Sequence, residues 1–175
     1  MNRKRWIVAP LTAVMLLLGL AVGAGPASAA TASGQACNYD GATFNACLNM
    51  NPGTAPYSTS VTVGIDLKMS RVKALLALQL GSTFRARLYS TTNGPDLITD
   101  LPLASGWPQA GATGLGARFG LGASNEFLNQ VNGDNAFQAQ IDFIEVHIDG
   151  TTTTRTYTTG VIHGSLPRCR FICPA

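Results

Sequence analysis

The chain has 175 residues, with 12 Lys and Arg against 9 Asp and Glu and a formal charge of +3. Arg3, Lys4 and Arg5 account for the whole excess, so beyond residue 29 basic and acidic residues balance. A balanced chain lacks the positive footprint that holds nucleic acid phosphates, and no nucleic acid partner is expected.

The first thirty residues read as a cleavable signal peptide. The basic start leads into an apolar run from Trp6 to Val22, broken by Pro10 and Gly19, and Ala27-Ser28-Ala29 has the small side chains a signal peptidase admits. A spanning anchor needs about twenty apolar residues, and these breaks argue against one. Cys37 follows Gly34-Gln35-Ala36, without the leucine expected upstream of a lipidated cysteine. The sequence therefore predicts a signal helix over 1–29, cleavage near Ala30, secretion, and no stable membrane anchor afterwards. The remainder is long enough for one ordinary domain with a single core.

Four cysteines, Cys37, Cys47, Cys169 and Cys173, lie at the two ends of the exported part. In an oxidising compartment an even count reads as two disulfides, and the spacings favour local pairs. The same thiols make a poor zinc site, because they lack paired short knuckles. No metal or cofactor is expected.

Residues 30–60, rich in Ala, Thr, Ser, Asn and Gly, read as a disulfide-pinned lead-in to a β-sandwich domain over 61–175, both belonging to one mature domain. Val61, Val63, Ile65 and Leu67 alternate with Thr62, Gly64, Asp66 and Lys68, which predicts a half-buried strand. The stretch 70–81 has helix formers between Ser70 and Gly81, yet its leucines also alternate. A hairpin turning at Gly81-Ser82 into Phe84, Ala86 and Leu88 is favoured, with a short helix as the other reading. Leu97–Leu103 predicts another short strand. In the glycine string 111–122, Leu115, Ala117, Phe119 and Leu121 alternate. That string reads as turns around an edge strand, since no Gly-Lys-Ser/Thr follows to make a phosphate loop. Asn132–Asn135 reads as a turn, because a calcium loop would need a later bidentate acid. Apolar residues then run from Phe137 to Ile148 with a break in parity at Phe143-Ile144, which predicts a bulge or a strand that passes from one sheet surface to another. A three-residue loop 149–151 would set Glu145 opposite Arg155 and Phe143 opposite Tyr157.

Seven or eight short strands with closely spaced turns predict an all-β antiparallel sandwich, immunoglobulin-like or a related Greek key, carrying at most one short helix. Catalytic groups are scarce: the exported part holds two histidines, His147 and His163, and two glutamates, Glu126 and Glu145. A hydrolase would have to assemble these from distant positions, with Ser165 or Ser124 as nucleophile and Asp142 or Asp149 as orienter. No nucleophile elbow supports it. Glu145 and His147 share a strand face and could approach a metal with Asp142 or Asp149, though the polar side of a half-buried strand explains them as well. The expected function is a non-enzymatic extracellular one, structural or binding a protein, glycan or envelope surface. Trp107 is the candidate binding contact, though an indole buried to close one end of the sandwich explains it as well. A protease inhibitor presenting a pinned loop over 38–46 is a third reading.

Overall fold

The computed structural model describes residues 32–52, 59–91, 94–121 and 136–165. Residues 1–29 read as a signal peptide, Cys169, Cys173, Ser124, Glu126 and the turn expected at 132–135 lie outside the described residues.

Among the described residues ten strands form two antiparallel sheets. The first contains β1 (Gly34–Tyr39), β2 (Phe44–Pro52), β3 (Thr59–Lys68), β6 (Gln109–Ala110) and β7 (Gly114–Leu121), in the order β1-β2-β3-β7-β6. The second contains β4 (Thr83–Ser90), β5 (Asp96–Leu101), β8 (Ala136–Val146), β9 (Thr152–Thr158) and β10 (Ile162–His163). Within it β8 lies beside β4, β4 beside β5, and both β9 and β10 pair with β8. One face of each sheet is apolar. Leu48, Val61, Val63, Ile65 and Leu115 from the first sheet and Ala86, Leu88, Ile141 and Phe143 from the second join one buried cluster. Aromatic rings stitch it together: Phe84 lies 4.8 Å from Phe143, and Phe44 of the first sheet lies 4.9 Å from Tyr157 of the second. The all-β, two-sheet expectation is met, and β3 has the alternating burial its pattern predicts.

Residues 70–81 are a helix, not a hairpin strand: α1 spans Arg71–Gln79. Ser70 Oγ accepts from the Lys73 N–H at 3.3 Å, capping the start. At the other end Gly81, with φ +88, lets its own N–H reach Leu78 O while the Ser82 N–H reaches Ala77 O. That is a Schellman stop, for which glycine is suited. The alternating leucines misled because the connection has to cross from β3 in one sheet to β4 in the other. A helix standing across that end, with Ala74 and Ala77 buried, makes the crossing.

Three further expectations need correction. The lead-in 30–60 supplies two full strands, with Ala46, Leu48 and Met50 in the core. Its polar composition hid their alternation with Asn45, Cys47 and Asn49. Strand β7 is not an edge, since it pairs with β3 over eight positions and with β6 on its other side. Finally, β8 has no bulge at 143–144: its register with β4 runs unbroken from Thr83 opposite Ile144 to Ser90 opposite Phe137.

The β8–β9 register is also shifted by two residues. Glu145 faces Thr153, Phe143 faces Arg155, and Tyr157 faces Ile141. The turn is wider than the three-residue loop expected, because the His147 N–H bonds Thr151 O and the Gly150 N–H bonds His147 O, drawing 147–151 into it. Arg155 Nη2 still reaches Glu145 Oε2 diagonally at 2.9 Å. That approach is too far out of line for a hydrogen bond, so the contact is one of charge alone.

Candidate functional site

Strand register places the outward side chains of the first sheet in three rows. One row reads Tyr39, Asn45, Asp66, Gly116 and Gln109; the next reads Cys37, Cys47, Gly64 and Arg118; the third reads Gln35, Asn49, Thr62 and Gly120. Cys37 and Cys47 are joined by a disulfide, the local pair that their spacing favours. Beside it Asp40 closes the β1–β2 turn by accepting from the N–H groups of Ala42, Thr43 and Phe44. Its carboxyl is held down at about 2, first by the Thr43 hydroxyl and then by the Thr43 N–H.

Two glycines let large side chains lie flat on this face. A Cβ on Gly64 would meet Arg118 Cδ at 3.2 Å, so the absence of a side chain opens a path for the guanidinium across β3. Along it Arg118 Nη2 reaches both Asp66 oxygens, at 3.2 and 3.1 Å, and Nη1 donates to Ile65 O at 3.1 Å. A Cβ on Gly116 would meet Trp107 Cζ3 at 3.0 Å, so Trp107 settles directly on the sheet there. The Arg118 guanidinium carbon is 4.9 Å from the centre of the indole ring. This cation–π contact and the Asp66 pair hold arginine and indole in one arrangement before any ligand arrives. The half-buried Trp107 is thus on the outer face of the first sheet, not between the sheets.

Three adjoining hollows border Asp66. The largest, about 550 Å³, reaches the exposed Tyr39; a second of about 440 Å³ runs over Asn45, Asn49 and Thr62; the third, about 180 Å³, lies against Trp107 and Gln109. Gln35, Asn49 and Thr62 have no side-chain hydrogen-bond partner among the described residues. Their amides and hydroxyl are free to both donate and accept. Asp66 and Arg118 are paired with each other, whereas Lys68 Nζ donates to the neutral Gly41 O at 3.3 Å and keeps its positive charge. The face therefore offers neutral polar contacts flanked by two aromatic rings.

The catalytic candidates do not come together. His163 pairs with Ala136 at one end of β8 and His147 follows its other end, which separates them by about 35 Å at the usual strand rise. His147 Nε2 lies 2.8 Å from Thr153 Oγ1. Asp149 takes the Thr151 N–H and hydroxyl, and the hydroxyl bond foremost lowers its pKa. Ser165 pairs through its carbonyl with the Ala32 N–H. Asp142 points to the outer face of the second sheet, away from Glu145, which is on the inward parity of β8. Among the described residues no three His, Cys, Asp or Glu side chains are grouped to hold a metal ion. The loop over 38–46 is reduced to a tight turn at 40–43, which leaves little extended chain to present to a protease.

Sequence reading singled out Trp107 but missed Asp66 and Arg118 beside it, and Asn45 and Asn49 farther across the same face. The usable signal was the pairing of same-parity asparagines in β2 with Gly64 in β3 and the alternating glycines of β7. Its meaning depends on strand order. No family model, characterised protein or solved structure matches the chain.

Proposed function

We infer that the chain is exported through residues 1–29 and acts outside the cell as a non-enzymatic protein that binds an uncharged glycan on the outer face of the first sheet. The observation that carries this is the set of hollows around Asp66, lined by free amides and a hydroxyl and flanked by Trp107 and Tyr39. A saccharide offers hydroxyls that pair with groups able to donate and accept, and apolar ring faces that pack on aromatics. Arg118 and Asp66 cancel each other, and Lys68, the one charged side chain lining these hollows without an ionic partner among the described residues, gives an acidic polymer little to hold.

Export is supported by the leader, by the Cys37–Cys47 disulfide, and by the absence among the described residues of a helix long and apolar enough to cross a membrane. An immunoglobulin-related Greek key, the finer form of the fold expectation, belongs with this reading, since such sandwiches commonly present recognition surfaces.

The test is titration of the secreted protein against neutral oligosaccharides and sedimentation with insoluble envelope polysaccharide. Binding should weaken about tenfold in Trp107→Ala and several-fold in Asn49→Ala, a surface change that leaves the core untouched. No binding to any saccharide, or binding indifferent to both substitutions, would refute the reading.

A further inference from the structure

Helix α1 is built inside out. Its buried side is made of Ala74 and Ala77, whereas Val72, Leu75 and Leu76 are exposed, Val72 by 78%. At 100° per residue these three form a single outward stripe, with Arg71 on one flank and Lys73 on the other. The helix carries no acidic residue. Next to it, across a hollow of about 680 Å³ bordered by Leu76 and Leu80, stands the tip of the β8–β9 hairpin with Ile148 80% exposed. Arg155 lines the same hollow. Its partner Glu145 is buried, so the only exposed carboxylate on this rim is Asp149, already engaged by Thr151.

We propose that this end of the sandwich docks reversibly on an anionic phospholipid surface, with Val72, Leu75, Leu76 and Ile148 entering the headgroup boundary and Arg71, Lys73 and Arg155 meeting lipid phosphates. Two features select that occupant. The most exposed apolar side chains stand on the helix crest and the hairpin tip, not on the floor of the hollow, which suits a broad interface better than a peptide seated in a groove. The exposed charge is predominantly positive, so a second copy meeting the same patch through a two-fold axis would set like charges together. An anionic surface complements it. This contact is distinct from the glycan face and does not depend on it.

The experiment is co-sedimentation of the protein, expressed with its own leader and recovered from the medium, with phosphatidylglycerol–phosphatidylcholine vesicles. The expected result is binding that falls about tenfold on pure phosphatidylcholine and about as much in high salt. Val72→Gln with Leu76→Gln preserves helix propensity at exposed positions and should reduce binding about tenfold. Ile148→Asn, off the helix, should reduce it several-fold. Failure of the wild type to bind anionic vesicles would overturn the proposal, as would binding unchanged in both variants. Dimers abolished by the glutamine pair without vesicle binding would assign the patch to a second copy, and an acidic peptide competing where vesicles do not bind would assign it to a protein; either overturns it too.

Discussion

The outer faces of the two sheets use similar polar residues to opposite ends. On the second sheet Arg87 pairs with Asp142, which also accepts from Thr156 Oγ1 at 2.7 Å and Gln140 Nε2 at 3.2 Å; only 24% of the arginine and 12% of the aspartate side chain remain exposed. On the first sheet the ion pair Arg118–Asp66 is much more exposed, and glycines take positions where side chains would otherwise close the lattice. A filled lattice pairs most of its own polar groups, Arg87 Nε excepted, and contributes stability. An open one leaves donors, acceptors and an indole for something else, so stability and binding should separate between the two faces.

The largest separation is expected for Asp142→Asn. It removes the charge opposite a mostly buried guanidinium and should cost about 1–2 kcal/mol at neutral pH, read by urea unfolding, with saccharide binding unchanged. The pH dependence sharpens this. Burial pushes the Asp142 carboxyl up, but the bonds from Thr156 and Gln140 and the Arg87 charge outweigh it, so the folded pKa is lowered. A lowered carboxyl pKa contributes stability that is present above the unfolded value, near about 3.9, and is lost as pH falls through the folded one. The difference between wild type and variant should therefore close below about pH 4. A gap that persists in acid would assign the loss to geometry and not to charge.

Gly116→Ala should show the opposite profile. Its Cβ would meet Asp66 Oδ1 at 2.9 Å and Trp107 Cζ3 at 3.0 Å, both on side chains that can move. Stability should change by no more than about 0.5 kcal/mol, while saccharide binding falls about tenfold, because the indole is displaced from its seat. Equal losses of stability and binding would erase the distinction between the faces.

Arg85→Ala is the smallest effect. The Arg85–Asp100 pair is more than half exposed on both sides, at 3.2 Å, and its removal should shift stability by less than about 0.5 kcal/mol without touching binding. A measurable loss of binding would extend the ligand face to the second sheet.

Much of the fold was legible from period-two alternation. Where one face of a strand is buried and the other wet, as in β3 and β4, the pattern is local and can be read along the chain. It failed at α1, where leucines satisfy both periods, and at β1 and β2, where a polar composition masked inward Ala46, Leu48 and Met50. The candidate site was legible only as Trp107. Its partners come from β2, β3, β6 and β7, separated in sequence by as much as 73 residues between Asn45 and Arg118.

Balanced charge beyond residue 29, scarce acid–base groups and the β class could all be read along the chain. Each is a property of composition or of near neighbours, where side-chain chemistry and backbone preference act over a few residues. Tertiary structure decided the helical crossover, the two-residue shift of the last hairpin and the rows that bring Asn45, Asp66, Gly116 and Gln109 side by side. Those depend on which strands pair and in what register, and burial of a common core selects among pairings that local pattern leaves equal in energy.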